Sequence, residues 1–213
     1  MWLHLAPIFD KFDILTIVYV GANTGAAALD LDAAFPGREF YLLEPVHPTF
    51  QALMANTQAR ANMHCLNIAA GQKDAWSTMF VDSCSPASSL LPYDPIALEE
   101  FPFLGKQVTM KVRVRALDAI LHDCKVGSVD MLLMDVQGYE NRVLAGAKRT
   151  LGQCKAVMTE LSFQALYVGS ATFDGIHRTL TREGFELSYL LNPISGASHR
   201  ILQIDGVYVR NHG

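Results

Sequence analysis

The sequence predicts an α/β fold on a mostly parallel seven-stranded sheet, and three observations carry that expectation. Short apolar runs stopping at Gly, Asp, Glu or Asn alternate with helix-length segments, as in βα units wound around a sheet. The stretch "IVYVGANTGAAAL", Ile17 to Leu29, is a β-branched run broken by two glycines four apart and continued at once by helix formers. The last two apolar runs are joined by "LNPISGASHRIL" without a helix, so they pair as an antiparallel C-terminal hairpin.

Taken in order, strands are predicted over 15–20, 39–43, 63–68, 129–134, 155–160, 185–191 and 203–209. Helices are predicted over Ala26 to Phe35, Pro48 to Arg60, Leu117 to Cys124, Glu140 to Leu151 and Phe173 to Glu183, with Gly37, Gly152 and Gly184 as stop residues. One segment departs from this rhythm. "VTMKVRVRAL" puts Val108, Met110, Val112 and Val114 on one face and Thr109, Lys111, Arg113 and Arg115 on the other, a half-exposed strand. With "WSTMFV" as partner, 76–115 becomes an inserted β-ribbon carrying the loop "SCSPASSLLPYDP", a lid or a substrate wall. Residues 1–13 form an N-terminal extension, and a single domain, 1–213, is expected.

Composition narrows the class. With 50% hydrophobic and 18% charged residues and a net charge of −4, the chain reads as a soluble cytoplasmic enzyme. The absence of any basic run argues against a nucleic-acid partner. Ile14 to Ala22 falls short of the ~20 apolar residues of a spanning helix, so no membrane partner is expected, and "MWLHLAPIFDKFD" lacks a basic signal-peptide start. Cysteines at 65, 84, 124 and 154 form no CxxC pair, which fits reduced thiols and no zinc site. The histidines are scattered, and His47 alone follows a candidate site residue.

Candidate chemistry gathers at the predicted strand ends. Gly21 and Gly25 allow a tight turn through Asn23 and leave room for a ligand against the backbone, with helix N–H groups facing an anionic group. Glu44 ends the second strand nineteen residues past Gly25, where an acid accepts both hydroxyls of a ribose. That acid serves any nucleoside, but G-x-x-x-G lacks the middle glycine of the dinucleotide fingerprint. Asp135 ends a central strand in "VDMLLMDVQGYENRVLAGA", Glu140 opens the next helix, and Glu160 ends the adjoining strand. Paired acids there suit a general base, while a metal site lacks a clear third ligand. Glu140 also suits a helix's first turn without any function.

The motifs "VGANTG", "LLEPVHPTFQALMAN" and "LLMDVQGYENRVLAGA", with "ASSL" and "ALDAIL" between them, resemble the FkbM-like family of S-adenosylmethionine-dependent methyltransferases from about Ile14 to Tyr208. The resemblance implies a Rossmann-like class I methyltransferase fold. It implies methyl transfer from S-adenosylmethionine to hydroxyl oxygens of a small-molecule acceptor such as a sugar, polyketide or other secondary metabolite. The cofactor would lie near Gly21, Asn23, Gly25 and Glu44, with Ser88 and Ser89 of "ASSL" as further candidates. Three residues depart from the family pattern: Tyr19 replaces an acid before the glycine turn, Gln137 replaces a Glu, and Tyr139 replaces a small residue. Tyr19 and Gln137 keep one rival in play, a cofactor-binding but catalytically weak scaffold or regulatory protein, and the generic strand-turn-helix with Glu44 keeps another, a nicotinamide-dependent oxidoreductase.

Overall fold

The computed structural model describes residues 2–83 and 85–211, without the side chains of Leu3 and Ser85. A 3-10 turn, Trp2–Leu5, leads into α1, Ala6–Phe12, whose Ile8, Phe9 and Phe12 are buried. Phe9 stacks on Phe35 with ring centroids 4.0 Å apart, so the extension packs onto the body of the fold. β1 (Thr16–Val20), α2 (Ala26–Ala34), β2 (Glu39–Leu43), α3 (His47–Thr57) and β3 (Met63–Leu66) follow the expected alternation.

The insertion is a second sheet rather than a bare ribbon. β4 (Ala69–Gly71) runs parallel to β6 (Val108–Ala116), and β6 pairs antiparallel with β5 (Ala75–Val81) from Ala75↔Val114 to Val81↔Val108. α4 (Pro95–Glu100) lies in the connecting loop, its first turn capped by the Asp94 carboxylate. The loop is held to the body by backbone bonds, Phe80 with Ser89 in both directions and Asp94 N–H to the Leu166 carbonyl at 2.9 Å.

α5 (Leu117–Asp123), β7 (Met131–Met134), α6 (Glu140–Ala145), α7 (Lys148–Gln153), β8 (Ala156–Ser162), α8 (Phe173–Arg182), β9 (Phe185–Ser195) and β10 (Ile201–Arg210) complete the chain. The main sheet has the order β3-β2-β1-β7-β8-β10-β9, parallel throughout except that β10 runs against both neighbours. Strand order reverses between β1 and β7. Such a switch point opens a crevice at the carboxyl ends of the strands. Ile17, Phe40, Leu42 and Met131 fill the core on one side, and Val18, Leu132, Val143 and Leu161 fill another.

Two helical expectations need correction. The predicted helix from Glu140 to Leu151 breaks at Gly146, where a β-carbon would lie 1.9 Å from the Gly71 carbonyl oxygen of β4. α7 then restarts under a new cap, the Asp118 carboxylate accepting from Arg149 N–H at 2.8 Å and Thr150 N–H at 2.9 Å. Gly152 lies inside α7 and stops nothing. Cys65, Cys124 and Cys154 are free thiols, and Cys84 lies outside the described residues. Among the described residues no helix is long and apolar enough to cross a membrane, and no group of three acids, histidines or cysteines could hold a metal.

Candidate functional site

The glycine turn after β1 is forced by the fold itself. Gly21 and Ala22 N–H groups both donate to the Leu43 carbonyl, at 2.9 and 3.0 Å, and Gly21 has φ +84°. A β-carbon there would lie 1.9 Å from the Asp135 carbonyl oxygen. The missing side chain therefore lets β1 and β7 approach, a packing role beyond the tight turn and the ligand space expected of it. Gly25, φ +85°, answers to helix packing, its absent β-carbon leaving Leu53 Cδ1 clear at 2.6 Å.

Beside this turn lies an open cleft of about 610 Å³. Gly21, Asn23, Glu44, Ser88 and Asp135 line it among apolar walls that include Leu43, Val46, Ile68, Met79 and Leu90. Glu44 is buried, with Oε2 accepting from Asn23 N–H at 3.0 Å and Oε1 from Val46 N–H at 2.8 Å. Each oxygen keeps further acceptor capacity, which suits a pair of vicinal hydroxyls. Burial pushes the Glu44 carboxyl up to about 7, the two backbone donors pulling down and the nearby Asp135 charge adding to the rise. Ser88 Oγ accepts from Asp82 N–H at 3.2 Å.

At the end of β7, Gln137 organises the acids. Its backbone is left-handed, φ 54°, followed by Gly138 at φ 90°. Gln137 Nε2 donates to Asp135 Oδ1 at 2.7 Å and reaches Glu160 Oε2 at 3.4 Å. Gln137 Oε1 accepts from the Tyr167 hydroxyl at 2.7 Å, and its carbonyl accepts from the Ser89 hydroxyl at 2.7 Å. Gln203 on β10 donates a second amide bond to Glu160 Oε2, at 2.5 Å.

Burial pushes Asp135 up to about 6, with the Gln137 bond opposing and the Asp205 charge assisting. Burial, then the charges of Asp135, Glu140 and Asp205, holds Glu160 well above the carboxylate range. Among the described residues no Lys or Arg lines the cavities around these two groups. They are two acids bridged by an amide, and electrostatics favours leaving a proton on one of them.

Glu160 faces a second cavity of about 640 Å³, whose wall shares Pro86 with the first cleft. A third, of about 470 Å³, touches Asp135 from another side and is walled by Tyr19, Ala27, Thr159, Asn192 and Asp205. Burial first, then these carboxylates, raises the Tyr19 hydroxyl's pKa. Gly25, Ser89 and Glu140 line none of the three cavities. Ser89 instead ties the insertion to Gln137, and Glu140, pushed up to about 7 by burial, accepts from Gly138 N–H at 3.2 Å and braces the turn. Gln203 and Tyr167 escape sequence reading, because an amide on a strand and a buried phenol carry no local motif. Gln137 is visible there only as a departure from an acid.

A family profile, the Methyltransferase FkbM domain, matches residues 20–187. The chain belongs to the FkbM methyltransferase family. That family uses S-adenosylmethionine as methyl donor, so the nicotinamide reading falls away. The chain is similar to the 2-O-methyltransferase NoeI of Sinorhizobium fredii, 38% identical over 72 residues, a match spanning 34% of this chain and 30%, less than a third, of that protein's length. A putative S-adenosylmethionine-dependent methyltransferase from Listeria monocytogenes has the same fold, with TM-score 0.56 at 10% identity, covering 99% of this chain and 98% of that one. Aeropyrum pernix fibrillarin with bound S-adenosyl-L-methionine aligns with TM-score 0.52 at 14% identity, covering 92% of this chain and 66% of that one. In this FkbM methyltransferase the acid Glu44, the turn at Gly21 and the bridged pair Asp135–Glu160 converge on one edge of the sheet.

Proposed function

We propose that this chain transfers the methyl group of S-adenosylmethionine to a hydroxyl oxygen of a small molecule. The observation that carries the reading is a pair of neighbouring cavities with Pro86 in both walls, one lined by Glu44 and Asp135, the other by Glu160, which Gln137 bridges to Asp135. The cofactor, when bound, supplies a methyl already activated by a positive sulfur. Glu44 then holds the ribose hydroxyls, apolar side chains flank the base, and the Asn23 turn and Ser88 lie along the same wall. Asp135, which lines the cofactor-side cleft, accepts the acceptor's hydroxyl proton as the oxygen attacks. Glu160, whose carboxyl burial and the neighbouring acids hold well above the usual range, orients the acceptor, and Gln137 bridges the two acids. Alignment of oxygen, methyl carbon and sulfur supplies much of the rate.

The net charge of −4 supports a small acceptor over a polyanion. The test has two arms. Titration with S-adenosylhomocysteine should show stoichiometric binding, and incubation with methyl-labelled cofactor and a metabolite extract should yield a small product heavier by one methyl group. Label appearing only in RNA or protein would overturn the acceptor class.

A further inference from the structure

The second cavity has a composition of its own. Ala97, Phe101, Phe103, Leu104, Leu166 and Ile194 form its walls. Its polar atoms sit at the floor, where Gln203 and Gln137 bond Glu160 and the Tyr167 hydroxyl bonds Gln137. The mouth is apolar too: Phe103 is 69% exposed and Ile194 42% exposed, an arrangement that water disfavours unless a ligand covers it. A sugar carries hydroxyls around its whole perimeter, and these walls would leave most of them without partners. A scaffold that is apolar apart from one hydroxyl would meet apolar wall along its body and the polar floor at its end.

We propose that the acceptor is an aryl or alicyclic alcohol, seated with its apolar ring between α4 and Ile194 of β9 and its hydroxyl at the Gln137–Glu160 floor. This rests on the methyltransferase reading above. The lining matches the general character of small-ligand sites, mostly apolar with a few polar groups gathered at one place. The floor sits beside Asp135 through the 2.7 Å bond from Gln137, so a hydroxyl placed there stands next to the cofactor cleft. Specificity then resides in the insertion and β9, while the chemistry resides in β7 and β8.

The full chain, saturated with S-adenosylhomocysteine, is titrated with 2-naphthol, 4-tert-butylcyclohexanol and methyl α-fucopyranoside. At least one ring alcohol should bind about tenfold or more tightly than the fucoside, since each unpartnered hydroxyl costs roughly that factor. Phe103→Asp and Ile194→Asp should each weaken that ring alcohol by about tenfold; both positions are exposed enough that folding, checked by circular dichroism, should survive. Equal or tighter fucoside binding, no binding of either ring alcohol at millimolar concentration, or folded variants that bind as the wild type does would each overturn the proposal. Failure of S-adenosylhomocysteine itself to bind would overturn the cofactor placement instead.

Discussion

The cofactor-side cleft and the acceptor-side cavity hold their acids by opposite means. Glu44 is fixed by backbone N–H groups, one of them only two residues away. Glu160 is fixed by side chains, Gln137 and Gln203, which lie 23 and 43 residues away in sequence. A backbone donor persists whatever side chain its residue carries, whereas an amide donor vanishes with one substitution. The first arrangement suits a ligand that never changes and the second one that does. Substitutions should therefore act on folding and cofactor affinity at the β1–β2 end, and on turnover and acceptor choice at the β7–β8 end.

The largest effect should come from Gly21→Val. With Asp135 O 1.9 Å from the new β-carbon, the variant should lose cooperative thermal unfolding or fail to accumulate as soluble protein. A stable Gly21→Val protein would mean the strands can part there, and the contrast would collapse. Next, Asp135→Asn keeps shape and hydrogen bonding but removes the base, so turnover should fall on the order of 100-fold while S-adenosylhomocysteine titrates as in wild type. The wild-type rate should rise with pH through about 6, and the variant should lack that limb. If Glu160→Gln is dead and Asp135→Asn is not, the base sits on β8.

Glu44→Ala should weaken S-adenosylhomocysteine binding by about 1.5–3 kcal/mol, read by calorimetry, as the loss of a charge-assisted hydrogen bond predicts. Wild-type affinity should also grow as pH rises through about 7, because ribose hydroxyls donate to the ionised carboxylate; Glu44→Gln should flatten that rise. Folding without ligand carries a pH effect of its own. Glu44 and Glu140 have folded pKa values raised to about 7, so their protonated forms favour the folded state. That contribution is complete below the unfolded value near 4.5 and lost as pH passes 7, so stability should drop by several kcal/mol between pH 5 and 8. Denaturant melts of Glu140→Gln should show a shallower drop, and an equally steep one would assign the effect elsewhere. Least of all, Ser88→Ala should shift cofactor affinity by under about 1 kcal/mol, since its hydroxyl already serves Asp82 N–H.

The same contrast explains how much could be read in advance. Strand ends at Val20, Leu43 and Met134 are marked by the next residue in each case, Gly21, Glu44 and Asp135, because a strand's burial and its stop are local matters. The break at Gly146 is not local; it answers to Gly71, which only the fold brings near. β4, three residues of Ala and Gly, is too short to show a period. Helix α1, "APIFDKF", spans only two turns and gains its order from Phe9 against Phe35. Gln203 sits on a strand whose burial is dictated by β8 and β9 on either side, so nothing nearby marks its amide as part of a site.

Val81 and Val108 face each other across the last rung of β5 and β6, so the 26 residues between them start and finish at neighbouring points. Loops anchored in that way can be exchanged at small entropic cost, since closure scales only with the logarithm of length. The exchange needs its reconnections to the body, among them a hydroxyl at position 89 for the Gln137 carbonyl, an N–H at position 94 for the Leu166 carbonyl, and carbonyls at positions 92 and 100 for the Val168 and Ala197 N–H groups. The segment behaves as a cassette. A laboratory graft that preserves these anchors, and keeps Pro86, Ser88 and Leu90 where they line the cofactor cleft, should move acceptor preference.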